Sequence, residues 1–108
     1  MTAHDLDGRV AIITGAAMGI GRACALRMAQ QGARVVLTDI DEAAGERTRG
    51  EIQDLGGVAT FLRTDVTSMA DMEAAAALAV ERLGTIDILV NNAAQAIGGV
   101  VDEIDEAT

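Results

Sequence analysis

The sequence predicts a parallel α/β sheet, doubly wound with helices, and three observations carry that prediction. Four short apolar runs, at residues 10–13, 34–39, 58–63 and 86–91, alternate with stretches of helical character. The connections are too long for hairpins and long enough for helical crossovers, so the order βαβαβαβ implies parallel strands. Finally, a glycine cluster, Asp39, Asp65 and Asn91-Asn92 all fall just after these runs. In a doubly wound sheet that edge, beyond the carboxyl ends of the strands, is where ligands bind.

Val10-Ala11-Ile12-Ile13 is a continuous apolar run, as expected of a strand covered on both faces. After the glycines, Ile20, Ala23, Cys24 and Met28 recur at helical spacing and predict the apolar stripe of a first helix, with Gly32 just past its end. Arg34-Val35-Val36-Leu37-Thr38-Asp39 is a second strand closing on an acid. Residues 41–55 are helical by composition, although Gly45 and Gly50 each cost about 1 kcal/mol relative to alanine. Gly56-Gly57 stops that helix, and residues 58–63 form a third strand. Thr67 or Ser68 caps a third helix, with Asp71 supplying the acid three positions after Ser68. Its apolar face is Met72, Ala76, Ala79 and Leu83, and Gly84 ends it. Ile86-Asp87-Ile88-Leu89-Val90-Asn91 is the fourth strand, and residues 100–108 read as a loop entering another helix.

Composition narrows the function. A chain of 108 residues is one domain's worth, and no repeat or linker divides it. Half of it is hydrophobic, but one phenylalanine is the sole aromatic, so the core depends on close packing of small side chains. A formal charge of −9 argues against nucleic acid and anionic membrane surfaces, which require arginine and lysine. One cysteine makes no internal disulfide, and no secretory signal or membrane-spanning run is visible, which implies a soluble, cytoplasmic protein. His4 has no Cys or acid cluster around it, so no metal site is expected.

The run Thr14-Gly15-Ala16-Ala17-Met18-Gly19-Ile20-Gly21, between a buried strand and a helix, suits a dinucleotide cradle. A helix amino terminus offers unpaired N–H groups and a positive dipole end to a diphosphate, provided that the nearby side chains are small. Gly15 is assigned to the tight turn, Gly19 to close approach of the anion, and Gly21 to close packing of helix and strand. Asp39 stands close to where an acid, about 20 residues beyond such glycines, accepts hydrogen bonds from the ribose hydroxyls of NAD. The same carboxylate repels the 2′-phosphate of NADP: two unit charges about 4 Å apart at an effective dielectric near 20 repel by roughly 4 kcal/mol. Met18 sits where a basic residue could have met that phosphate, and Ile40 follows the acid. The expected cofactor is NAD.

The GxxxGxG spacing, with Thr14 in front and Ile20 between the last two glycines, resembles the TGxxxGIG element of the short-chain dehydrogenases/reductases. Leu6-Asp7-Gly8-Arg9-Val10-Ala11 is similar to that family's entry into its first strand. Asp65-Val66 resembles its adenine-contacting pair, and Asn91-Asn92-Ala93-Ala94 resembles its NNAG element, with Ala94 in place of the glycine. The resemblance covers essentially the whole chain. It implies the first four strands of a Rossmann-type sheet in the order 3-2-1-4, with residues 1–108 as the N-terminal part of one dinucleotide-binding domain. It also implies that Thr14, Gly15, Gly19, Ile20 and Gly21 line the cofactor, beside the Met18 already placed at its mouth, and that Asp65 and Val66 hold its adenine edge. Asn91 and Ala93 then shape the floor near the adenosine ribose, with Asn91 tying the fourth strand to its neighbours.

Family members interconvert secondary alcohols and ketones by hydride transfer to or from the nicotinamide. They use a serine, a YxxxK tyrosine–lysine pair and a further asparagine, all beyond the fourth strand. This chain has no tyrosine, and all eight of its basic residues are arginine, so no catalytic residue is assigned within it and the chain alone is expected to be inactive. The fourth strand is expected to present an open apolar edge that favours association. A full-length form is expected to be a homo-oligomer acting on a small alcohol or ketone. The competing reading is a non-catalytic NAD-binding module that completes its sheet with a partner chain. A methyltransferase is disfavoured by the Asp65-Val66 and Asn91-Asn92-Ala93 elements, and an epimerase by the glycine spacing.

Overall fold

A computed structural model of the chain describes residues 5–92. The expectations for His4, Ala93, Ala94 and residues 100–108 lie outside them. The elements run β1 (Val10–Thr14), α1 (Gly19–Gln30), β2 (Arg34–Asp39), α2 (Glu42–Asp54), β3 (Val58–Arg63), α3 (Met69–Leu83) and β4 (Ile88–Asn91). All strand pairs are parallel and the sheet order is β3-β2-β1-β4, the expected arrangement.

Pleating sorts the central strands onto two faces. Ala11 and Ile13 of β1, with Val35 and Leu37 of β2, pack with Ala25 of α1 and Ile52 of α2. Val10, Ile12 and Val36 face the other way and pack against Ala79, Leu78 and Leu83 of α3. All five residues of β1 are buried, so it is the spine of the domain. The chain winds outward through β2 and β3 on one face, then crosses back under α3 to place β4 beside β1. Strand order therefore reverses between β1 and β4, whose last residues, Thr14 and Asn91, are partners in register. That reversal is where a crevice opens.

Helix α1 departs from the expected stripe. Its buried residues are Gly21 and Ala25, with Leu26, Met28 and Ala29 against the core, whereas Ala23 is exposed and Ile20 is 67% exposed. The two fully buried positions are small, Gly21 against the loop after β1 and Ala25 against the sheet core, so of the expected stripe Met28 alone packs on the core. A smaller shift occurs in α3, where Ala75 and Ala79 are buried and Met72, Ala76 and Leu83 are half-buried. β4 begins two residues later than the apolar run suggested. Asp87 accounts for this: its carboxylate accepts the Val10 N–H at 2.9 Å in place of a ladder carbonyl, while its own N–H donates to the Val10 carbonyl. On β4, Ile88 and Val90 pack toward the α1 side, but Leu89 is 58% exposed because α3 lies over β1 and β2.

The two glycines inside α2 have different physical meanings. A Cβ at Gly45 would lie 2.6 Å from Cζ of Phe61, so this glycine admits the chain's single aromatic ring against the helix. A Cβ at Gly50 meets nothing within 4 Å. Gly50→Ala is expected to stabilise the chain by about 0.5–1 kcal/mol. Gly45→Ala is expected to destabilise it by roughly 1–3 kcal/mol through overpacking. Urea denaturation midpoints check both, and equal shifts in one direction would contradict the packing role of Gly45.

Candidate functional site

The crevice is built on the loop between β1 and α1. Gly15 (φ +64°) makes the turn off β1 in the left-handed region. The loop is then held at four backbone points. The Ala16 N–H donates to the Thr38 carbonyl at 3.1 Å, and the Ala17 N–H donates to Asp39 Oδ2 at 2.9 Å. The Ala17 carbonyl accepts from the buried Thr48 hydroxyl at 3.3 Å, and the Gly15 carbonyl accepts from Asn92 Nδ2 at 3.3 Å. The end of β2, helix α2 and the residue just past β4 therefore all contribute to the shape of this turn.

What the loop leaves open is the amino end of α1. Asp41 caps α2 through the Ala44 N–H and Ser68 caps α3 through the Asp71 N–H, but Met18 at the start of α1 makes no side-chain cap bond, and that first turn carries no acid. Met18 is 62% exposed. Gly19 has φ +64°, and a Cβ there would project into open space. At Gly21 a Cβ would sit 2.7 Å from the Gly15 carbonyl carbon and 2.8 Å from Asn92 Nδ2. Gly21 thus permits close packing, as expected, but against the loop's own backbone and Asn92. The unpaired N–H groups, the absent side chains and the positive dipole end together fit a diphosphate.

Around this mouth stand the other site candidates. Thr14 is buried at the end of β1, its hydroxyl 3.3 Å from both the Val90 carbonyl and Asn91 Oδ1. Asn91 thereby links β4 to β1. Asp39 closes β2, its Oδ1 accepting the Asp41 N–H at 2.9 Å while Oδ2 holds Ala17, and Ile40 beside it is exposed. Asp65 and the half-buried Val66 follow β3, joined to the mouth where the Thr64 N–H donates to the Asp39 carbonyl. Ala93 lies outside the described residues.

Thr48 and Asn92 were not among the sequence candidates. Thr48 carries no motif, and only the packing of α2 beside the loop brings it in. Asn92 stood within the quoted Asn91-Asn92-Ala93-Ala94 stretch, and its grip on Gly15 is a property of the folded loop.

Among the described residues no group of three or more His, Cys, Asp or Glu is placed to hold a metal ion, and no helix is long and apolar enough to cross a membrane. A second concavity, of about 300 Å³, lies at the other end of the sheet among Asp7, Gly32, Arg34, Gly57 and Val58. It faces the carboxyl ends of α1 and α2, whose carbonyls disfavour an anion.

The short chain dehydrogenase family model matches residues 9–108. The chain belongs to that family. It is 50% identical over 88 residues to the 7alpha-hydroxysteroid dehydrogenase of Escherichia coli, covering 82% of this chain and 34% of that protein. A crystal structure of hydroxysteroid dehydrogenase from Escherichia coli superposes with a TM-score of 0.78 at 49% identity, covering 80% of this chain and 37% of that one. A short-chain dehydrogenase/reductase from Burkholderia phymatum, solved in complex with NAD, superposes with a TM-score of 0.76 at 40% identity over 82% and 31%. The chain spans about a third of the length of these relatives.

The Asp65 carboxylate illustrates the electrostatics of the mouth. It accepts from the Thr67 hydroxyl at 2.6 Å and the Thr67 N–H at 2.9 Å, and these bonds hold its pKa below the ordinary carboxylate value, with Arg63 assisting. Because the folded pKa is depressed, the resulting stabilisation is present above the ordinary carboxylate range. It is lost as pH falls through the folded value. Thr67→Val is expected to shift the Asp65 titration, followed by carbon NMR of the carboxyl group, to higher pH; an unchanged titration would contradict the assignment.

Proposed function

We propose that these residues form the NAD(H)-binding part of a dehydrogenase that interconverts a secondary alcohol and a ketone. The observation that carries the proposal is the uncapped, acid-free amino terminus of α1 behind Gly19, with the Asp39 carboxylate anchored to the same loop. When bound, the nicotinamide supplies the hydride donor or acceptor. The residues of this chain bind and orient it. The N–H groups of Gly19, Ile20 and Gly21 meet the diphosphate, with Thr14, Gly15 and Met18 shaping the cradle. Asp39, beside Ile40, accepts from the ribose hydroxyls. Asp65 and Val66 border the adenine, and Asn91 and Ala93 the adenosine floor. Segment 14–21 contains no arginine, so backbone dipoles take the diphosphate charge.

Proton transfer is assigned to groups outside these 108 residues, which contain no tyrosine and no lysine. The polypeptide itself binds without turnover. Hydroxysteroid-acting relatives support an alicyclic secondary alcohol as the substrate class of the complete enzyme. A soluble, cytoplasmic homo-oligomer is the matching form.

Asp39 sets the cofactor choice. Its two oxygens are aimed by Ala17 and Asp41 and retain acceptor capacity for two hydroxyls, whereas a 2′-phosphate would meet a fixed negative charge. NADH is expected to bind at least about tenfold more tightly than NADPH, and Asp39→Ala to erase most of that preference. Fluorescence titrations with the two reduced cofactors check this. An affinity ratio unaltered by the substitution would refute the assignment of Asp39.

A further inference from the structure

Asp71 occupies the third position of α3, where an acid ordinarily reaches back to the N–H of the capping residue. Here that N–H, on Ser68, already donates to the Asp65 carbonyl at 2.9 Å. The Asp71 carboxylate reaches further back, and its Oδ2 accepts the Asp65 N–H at 2.9 Å. Asp71 is itself oriented by its N–H bond to Ser68 Oγ at 3.1 Å. The Asp65 N–H, its carbonyl and its Oδ1, which takes both Thr67 donors, are therefore all engaged. Of the polar atoms of Asp65, Oδ2 is the one left without a hydrogen-bond partner among the described residues, and it belongs to a turn tied to the Asp39 end of the crevice.

We propose that Asp71 is a positioning residue for base recognition: by holding the Asp65 peptide it presents the remaining carboxylate oxygen of Asp65 as a fixed acceptor for an exocyclic amino group, and so selects adenine. The inference rests on the proposed role of Asp65 at the adenine edge. A turn clamped through its N–H, its carbonyl and one carboxylate oxygen loses little further entropy when the fourth group binds. An oxygen in place of the amino group would leave that acceptor facing another acceptor.

The test is titration of the whole chain with NADH and with reduced nicotinamide hypoxanthine dinucleotide, whose base carries oxygen at the 6-position. The wild-type chain is expected to favour NADH by about tenfold. Asp71→Ala is expected to bring the ratio close to one, while Asp71→Asn, which keeps an acceptor oxygen, retains most of it. Ser68→Ala removes the helix cap and is expected to lower thermal stability without changing the ratio, which separates base selection from helix stability. Asp71→Ser, too short to reach Asp65, gives the same reading if the alanine variant fails to fold. A wild-type ratio that persists in Asp71→Ala or Asp71→Ser overturns the positioning role and leaves the Asp65 contact standing. A ratio near one in the wild-type chain overturns both.

Discussion

The hydrogen bond from the Ala17 N–H to the Asp39 carboxylate is the constraint on which the site depends. It joins the loop after β1 to the end of β2, two segments separated by a whole helix. A charged acceptor of this kind contributes about 1.5–3 kcal/mol when its partner is partly buried. Its larger effect is geometric. With Ala16 on Thr38, Ala17 between Asp39 and Thr48, and Gly15 on Asn92, the turn has little freedom left, and α1 must start at Gly19 with its first N–H groups facing outward. The crevice is shaped before any ligand arrives.

An acidic chain with two carboxylates at the mouth would repel a diphosphate placed beside them, and the arrangement resolves the conflict by separating functions. Positive potential comes from the amino end of α1, where no acid intrudes, and the carboxylates stand at the ends of β2 and just after β3. On the proposed reading they face neutral donors, the ribose hydroxyls and the adenine amino group. The nearest arginine on α1, Arg22, is held by Glu51 of α2, with Nε 3.0 Å from Oε1, so its charge fastens two helices together.

The elements were legible in the sequence wherever local chemistry and tertiary demand agree. The β-branched run at 34–39, a cap at Ser68, one of the two candidates Thr67 and Ser68, and the helix-ending Gly32 and Gly84 each appear where the residues indicated, whereas the cap at Asp41 was not read. Legibility failed where small residues carry the packing. Gly21 against the loop and Ala25 against the sheet core are the buried residues of α1, but an apolar-periodicity argument weights Ile20 and Ala23, which are exposed, and catches only Met28 of the residues packed on the core. Likewise the glycines of the loop were readable as a cradle, whereas the groups that shape it, Thr48 and Asn92, act through contacts made only by the fold. Asp71 was readable as a helix-start acid. Its bond to Asp65 was not, because that depends on the Asp65 carbonyl having already claimed the Ser68 N–H.

Amide NMR of the isotopically labelled chain during addition of NADH tests the central claim most directly. A diphosphate against the amino end of α1 should move the resonances of Gly19, Ile20 and Gly21 most strongly, together with Ala17, whose N–H reports on Asp39. Gly32 and Gly57, at the opposite end of the sheet, should stay in place. Saturable shifts centred on that opposite end, or none at the start of α1, would contradict the account.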